Sequence, residues 1–144
     1  MVYQAHSYNE SRLTLESSLR QCGIYPTGQR LSIASVLLSR HQHLTADALY
    51  ERLLQAGEQV SKATVYNTLS LFVEKGLVRE IVVEAGKTFY DSNNTHHHHI
   101  FNVDTGQLTD IVEPFAEQLS AVHIPSGTDL ESIHVVVRVR NKTR

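Results

Sequence analysis

Cysteine occurs once, at Cys22, and tryptophan not at all. A lone thiol excludes an internal disulfide and any cysteine-rich zinc site. Cys22 falls in the expected last turn of a helix ahead of Gly23 and reads as a small, semi-buried side chain. Long apolar runs are also lacking. No stretch approaches the roughly 18–20 residues that span a bilayer, and Met1-Val2-Tyr3-Gln4-Ala5-His6 has no basic segment followed by an apolar one. A cytoplasmic protein without a membrane partner is expected. An excess of charge is missing too: the net charge is −2, with eight acidic and eight basic residues in 1–85 and seven against five in 86–144. Bulk charge therefore neither requires nor excludes nucleic acid, and any DNA contact must rest on a local patch. The length, 144 residues, fits one domain or two small ones.

The first part of the chain has the period of short helices. Residues 9–22 carry Leu13, Leu15 and Leu19 behind an Asn9 cap and end at Gly23 and Pro26. Thr27 caps a second helix with Leu31, Ile33, Ala34, Val36, Leu37 and Leu38. Thr45 opens a third, stopped by Gly57, and Ser61 a fourth, with Val65, Leu69 and Phe72 on one stripe and Gly76 at its end. The period then changes to that of strands, over Leu77–Val83 and Lys87–Asp91, joined by Glu84-Ala85-Gly86. Helices followed by a β-hairpin describe a winged helix-turn-helix, with 61–75 as the recognition element. Its polar face offers Ser61, Lys62, Thr64, Tyr66, Asn67 and Ser70, a mix of phosphate donors and base-edge readers. Every amphipathic helix has a polar face, so this pattern alone leaves DNA binding open.

Nine histidines stand against that scarcity of cysteine, four of them consecutive, His96 to His99. A purification tag would sit at a terminus, whereas this run leads into Ile100-Phe101-Asn102-Val103. In an extended chain His97 and His99 share one face, His96 and His98 the other. Imidazole suits several transition metals and haem. A turn at Asp104-Thr105-Gly106-Gln107 sets Val103 opposite Leu108 and Phe101 opposite Asp110, so Asp110 shares the face of His97 and His99. A carboxylate on that face needs a cationic or metal partner. With Asp91 six residues before His97, and His43 able to reach across, the set suits five- or six-coordinate Fe²⁺ or Mn²⁺ better than a closed tetrahedral zinc. On the opposite face His96 and His98 could be joined by Glu117, from a short helix that begins at Glu113-Pro114 with Phe115, Leu119 and Val122 inward. A last strand over His134–Arg140 completes a small unit that is marginal alone and gains from dimerisation. His6 and His41 read as solvated; His123 and His134 read as structural or interfacial.

Val60-Ser61-Lys62-Ala63-Thr64-Val65-Tyr66-Asn67-Thr68-Leu69, Gly76-Leu77-Val78 and the His-x-His after Phe89-Tyr90-Asp91 resemble the ferric uptake regulator (Fur) superfamily of metal-sensing repressors, over about residues 12–140. The resemblance implies an α+β protein: an N-terminal winged helix-turn-helix DNA-binding domain, 1–85, followed by a small α/β dimerisation and metal- or haem-sensing domain, 86–144. It implies a homodimer on a double-stranded DNA operator and a regulatory metal site of His43, Asp91, His97, His99 and Asp110. It maps a second metal or haem site onto His96, His98 and Glu117, with the usual fourth ligand, a His on the last strand, replaced near Val139. DNA contacts by analogy are Arg30, Ser61, Thr64, Tyr66 and Asn67.

Most relatives carry Cys-x-x-Cys where this chain has Asn102 and Thr105, so the structural zinc of the family is not expected. The cysteine-free histidine run, Asn67 and the ending Val135–Arg140 look most like the iron response regulator (Irr) branch. The leading expectation is thus a non-enzymatic regulator of iron homeostasis, responding to Fe²⁺, Mn²⁺ or haem, with Zn²⁺ able to occupy the site in vitro. Aspartate at positions 91 and 110 also resembles the peroxide sensors of the PerR type, in which an iron-ligating His is oxidised. A general Fur-type Fe/Mn repressor is the third reading. A metalloenzyme or metal-trafficking protein is the remote one, since no organised base or oxyanion element accompanies the histidines.

Overall fold

The computed structural model describes residues 12–111 and 122–143. The chain divides into two compact units, Met1–Thr95 and His96–Arg144. The division thus follows Thr95 rather than residue 85, because strand pairing keeps Lys87–Asp91 with the first unit.

In the first unit come α1 (Arg12–Gln21), α2 (Gly28–Leu37), α3 (Ala46–Gln55) and α4 (Lys62–Glu74). Three of them start on the expected caps. Thr27, Thr45 and Ser61 have extended backbones, and their hydroxyls accept from Arg30 N, Ala48 N and Thr64 N. Each such bond satisfies an orphan donor and is worth about 1 kcal/mol. The α4 stop has a specific geometry: Gly76, at φ 76°, donates to Val73 O, and Leu77 N donates to Phe72 O at 2.9 Å. That pair of bonds closes the helix and needs a left-handed residue at position 76. Leu19, Ile33, Leu37, Leu49, Leu53, Val65, Leu69, Phe72 and Leu77 are fully buried and form one core.

Against these helices lies an antiparallel sheet in the order β1 (His43–Leu44), β3 (Lys87–Asp91), β2 (Arg79–Glu84). Alternation along β2 buries Ile81 and Val83 and exposes Val82, as a half-solvated wing requires. The hairpin loop is tighter than expected: Glu84 pairs with Lys87, so only Ala85 and Gly86 remain in the turn, with an irregularity between Val82 and Glu84. β1 has no counterpart among the elements expected from sequence. It sets His43 opposite Asp91.

The second unit is a three-stranded sheet in the order β5 (Leu108–Ile111), β4 (His98–Asn102), β6 (Val136–Val139). β4 runs antiparallel to β5 and parallel to β6. The β4–β5 register differs from expectation: Phe101 faces Leu108 and His99 faces Asp110. The cause is Asn102, whose Oδ1 accepts from Asp104 N and Thr105 N, while its own N–H reaches Gln107 O. The turn therefore consumes two more residues than assumed. A slip of two keeps every side chain on its face, so Asp110 still shares the side of His97 and His99. The expected helix from Glu113, apart from Val122, lies outside the described residues.

Candidate metal centre and nucleic-acid interface

Each unit supplies a set of metal-type ligands. In the first, His43 Nε2 lies 3.1 Å from Asp91 Oδ2, with the side chains 14% and 1% exposed. The segment before His43 is pinned from both sides. Gln42 Nε2 donates to Val36 O and Leu37 O, capping carbonyls at the end of α2, and Arg52 holds its Oε1 at 2.8 Å. Ser92 Oγ, next to Asp91, donates to Arg40 O and accepts from Gln42 N. Asp91 Oδ1 accepts from Asn93 N at 2.8 Å. A carboxylate this deeply buried is costly without cationic partners, and a pinned frame of this kind keeps it in place.

In the second unit, His97 Nε2 and His99 Nε2 lie 3.2 and 3.3 Å from the same oxygen, Asp110 Oδ1. The two rings sit 4.5 Å apart, and the ligand atoms of the three residues lie within 4.8 Å of one another. His99 is fully buried. Its other ring nitrogen, Nδ1, is 3.3 Å from His134 Nε2. His134, read from sequence as structural or interfacial, thus stands behind a candidate ligand, where an outer partner fixes tautomer and orientation. The parallel register of β6 on β4, with Val136 beside His99, brings it there. Nitrogens and carboxylate oxygens of this kind fit Fe²⁺ or Mn²⁺, and Zn²⁺ as well.

On the other face His96 and His98 stack edge-on at 5.1 Å. His98 is buried, and its Nδ1 accepts from Val135 N at 3.1 Å. Glu117 lies outside the described residues. Val139 pairs with Asn102, at the far end of β4 from His98, and the His134 ring is 6.4 Å from that of His98. Where the family pattern has its first cysteine pair, Asn102 Nδ2 donates to Asn141 Oδ1, and Asp104 binds Arg140 and Asn141 N.

The six residues expected at DNA fall into groups. Arg30, Thr64 and Asn67 line one groove with Thr27, Gln29, Thr68 and Leu71. The Ser61 hydroxyl is engaged as the α4 cap and donates to Thr64 Oγ1. Lys62 and Tyr66 both reach Asp47, at 3.1 and 3.2 Å. Those contacts hold the Asp47 carboxyl below its usual range and raise the Lys62 ammonium. The polar face of α4 gives no sign of Asp47 in the sequence, because the acid comes from α3.

Winged-helix architecture joined to a small sheet bearing a His/Asp cluster defines a class, the metal-responsive transcription regulators. The chain belongs to the ferric uptake regulator family, whose pattern matches residues 21–138. The members are transcription regulators and not enzymes, and the ferric uptake regulator of Vibrio cholerae carries DNA-binding domains. The peroxide-responsive repressor PerR of Staphylococcus aureus is 35% identical over 120 residues, 82% of this chain and 79% of that protein. The manganese-bound ferric uptake regulator of Pseudomonas aeruginosa superimposes with a TM-score of 0.71 at 31% identity, covering 89% of this chain and 98% of that one. For the Vibrio cholerae ferric uptake regulator the TM-score is 0.73 at 28% identity, with 88% and 98% covered. Among the described residues no helix is long and apolar enough to cross a membrane.

Proposed function

We propose that this protein is a homodimeric repressor of iron homeostasis genes, acting in the cytoplasm, whose affinity for its operator follows Fe²⁺ or Mn²⁺ held by His43, Asp91, His97, His99 and Asp110. The carrying observation is the convergence of His97 and His99 on one Asp110 oxygen beside a fully buried His99. When bound, the ion would supply positive charge to the two carboxylates, Asp91 and Asp110. The residues do the rest. His43 and Asp91 belong to the winged-helix unit and the other three to the sheet unit, so common ligation restricts the freedom between units. That selects one state of the dimer for DNA, a population shift driven by differential affinity. Arg30, Thr64 and Asn67 then read the duplex from one groove, with Ser61, Lys62 and Tyr66 on phosphates.

His96, His98 and Glu117 form the second proposed site. Haem at the histidine run, as in the Irr-like reading, would have to open the sheet around His98 and His99, both buried; a small ion needs no such opening. Peroxide sensing is the second reading. It is supported by the paired aspartates 91 and 110 and by similarity to the staphylococcal peroxide-responsive repressor. Two assays test these readings. Titrating Mn²⁺ into metal-stripped protein against a chelating indicator should give tight binding that His99→Ala abolishes; equal binding in that variant refutes the site. Mass spectrometry after peroxide separates the sensors: one added oxygen atom on His43 or His97, only with Fe²⁺ present, marks peroxide sensing, and unmodified histidines leave iron regulation.

A further inference from the structure

Lys62 and Tyr66, exposed on the reading helix, are both engaged by an acid from the neighbouring helix. Lys62 Nζ lies 3.1 Å from Asp47 Oδ1, and Tyr66 OH donates to that same oxygen at 3.2 Å. An ammonium and a hydroxyl gripping one anionic oxygen is the arrangement that both would make with a DNA phosphate. The grip lies in water: the Lys62 and Asp47 side chains are 57% and 61% exposed, and Tyr66 is 45% exposed. Such a contact is weak and readily exchanged. Asp47 and Tyr66 line a groove that runs to Lys87 and Thr88 on the wing, so the carboxylate lies beside further groups of the kind that bind phosphate. A first-turn aspartate also complements the α3 dipole, but that role needs neither Lys62 nor Tyr66.

We propose that Asp47 is an internal stand-in for phosphate, which occupies Lys62 and Tyr66 in the free protein and so sets the ratio of operator to non-operator binding. The inference rests on α4 being the DNA-reading helix. Non-specific binding is almost wholly phosphate electrostatics, so a lysine that must first leave its own carboxylate contributes less to it. An operator is gripped in addition by the groove of Arg30, Thr64 and Asn67, and that fixed register lets its phosphates displace Asp47. Freeing Lys62 should therefore strengthen non-specific binding more than operator binding.

The test uses the full Mn²⁺-loaded chain with two probes: a short mixed-sequence duplex, and an operator selected from random duplexes by the wild type. Anisotropy is followed across salt for the wild type, Asp47→Asn, Lys62→Gln and the double variant. Neutralising one more phosphate corresponds to a salt slope steeper by about 0.9, or about fivefold tighter binding near 0.15 M salt. Asp47→Asn should show that strengthening on the mixed duplex, a smaller one on the operator, and none in the Lys62→Gln background. Unchanged mixed-duplex affinity overturns the inference, as does a strengthening that persists with Lys62→Gln, which would mark bulk charge alone. Asp47→Ser, which keeps a helix-start residue, repeats the measurement if the amide variant does not fold. Failure of the wild type to select or bind any duplex would overturn the DNA-binding function itself, which separates the two failures.

Discussion

Asp91→Asn changes the shape of the candidate metal centre least and its charge most. In the metal-free protein the amide keeps an oxygen for the Asn93 N–H and sets an NH₂ against His43 Nε2 where a carboxylate oxygen lay at 3.1 Å. Imidazole can adopt its other tautomer to accept that donor. The metal-free variant should therefore lose only about 1–2 kcal/mol, the charged share of buried hydrogen bonds. Metal binding should suffer far more. Outer partners of metal ligands are worth roughly 10–100-fold in affinity, so an anionic ligand sets the expected loss at about 100-fold or beyond. At a Mn²⁺ concentration of about 100 times the wild-type Kd, binding stabilises the wild type by about 2.7 kcal/mol and the variant by only about 0.4 kcal/mol. At about 2–4 °C per kcal/mol, Mn²⁺ should raise the wild-type midpoint by about 5–10 °C and the variant's by about 1 °C. Thermal unfolding followed by circular dichroism, with and without Mn²⁺, reads both quantities. Equal Mn²⁺-induced shifts in the two proteins would refute the assignment of Asp91.

Three further perturbations probe other parts of the molecule. His134→Ala removes the partner of His99 Nδ1 and should weaken Mn²⁺ binding by roughly 10–100-fold while leaving the fold intact; indicator competition with an unchanged Kd would deny His134 an orienting role. Asp104→Ala removes the acceptor for Asn141 N at 2.8 Å and an exposed pairing with Arg140; it should cost about 1–2 kcal/mol, mostly from the backbone bond, and hydrogen exchange at the Asn141 amide should accelerate. Burial, reinforced by Glu80 opposite it on β2, raises the Tyr90 phenol above its ordinary range. A raised folded-state pKa gives stability that is whole below the unfolded value of about 10 and is lost as pH rises through the folded value. Stability read from urea unfolding should thus fall less steeply with alkaline pH in Tyr90→Phe than in the wild type, and parallel profiles would refute the cause.

Helix starts and stops are legible in the sequence because each has a local chemical cause: a hydroxyl at Thr27, Thr45 or Ser61, a glycine at 57 or 76. The face shared by His97, His99 and Asp110 is legible by parity. Asp110 falls beside His97 and His99 even with the register misplaced, because the Asn102-centred turn shifts the pairing by an even number. What is not legible depends on pairing between distant segments. β1 is two residues long and exists only through β3. His134 meets His99 across 35 residues of sequence, through a parallel strand pair, which no periodicity discloses. Asp47 stays hidden because the face of one helix cannot show an acid delivered from its neighbour. The boundary between units moves for a similar reason, since β3 is claimed by partners on both sides.

The most direct test of metal-gated DNA binding is anisotropy of a labelled promoter duplex from the protein's own genomic neighbourhood, titrated with metal-stripped protein, then with Mn²⁺, then with haem. Metal gating predicts weak binding without metal and a rise of at least about tenfold with Mn²⁺, a coupling of about 1.4 kcal/mol, with loss of that rise in Asp91→Asn. Release of the DNA by haem would add the Irr-like response to it. Binding that is equally tight with and without Mn²⁺, in wild type and variant alike, would contradict it.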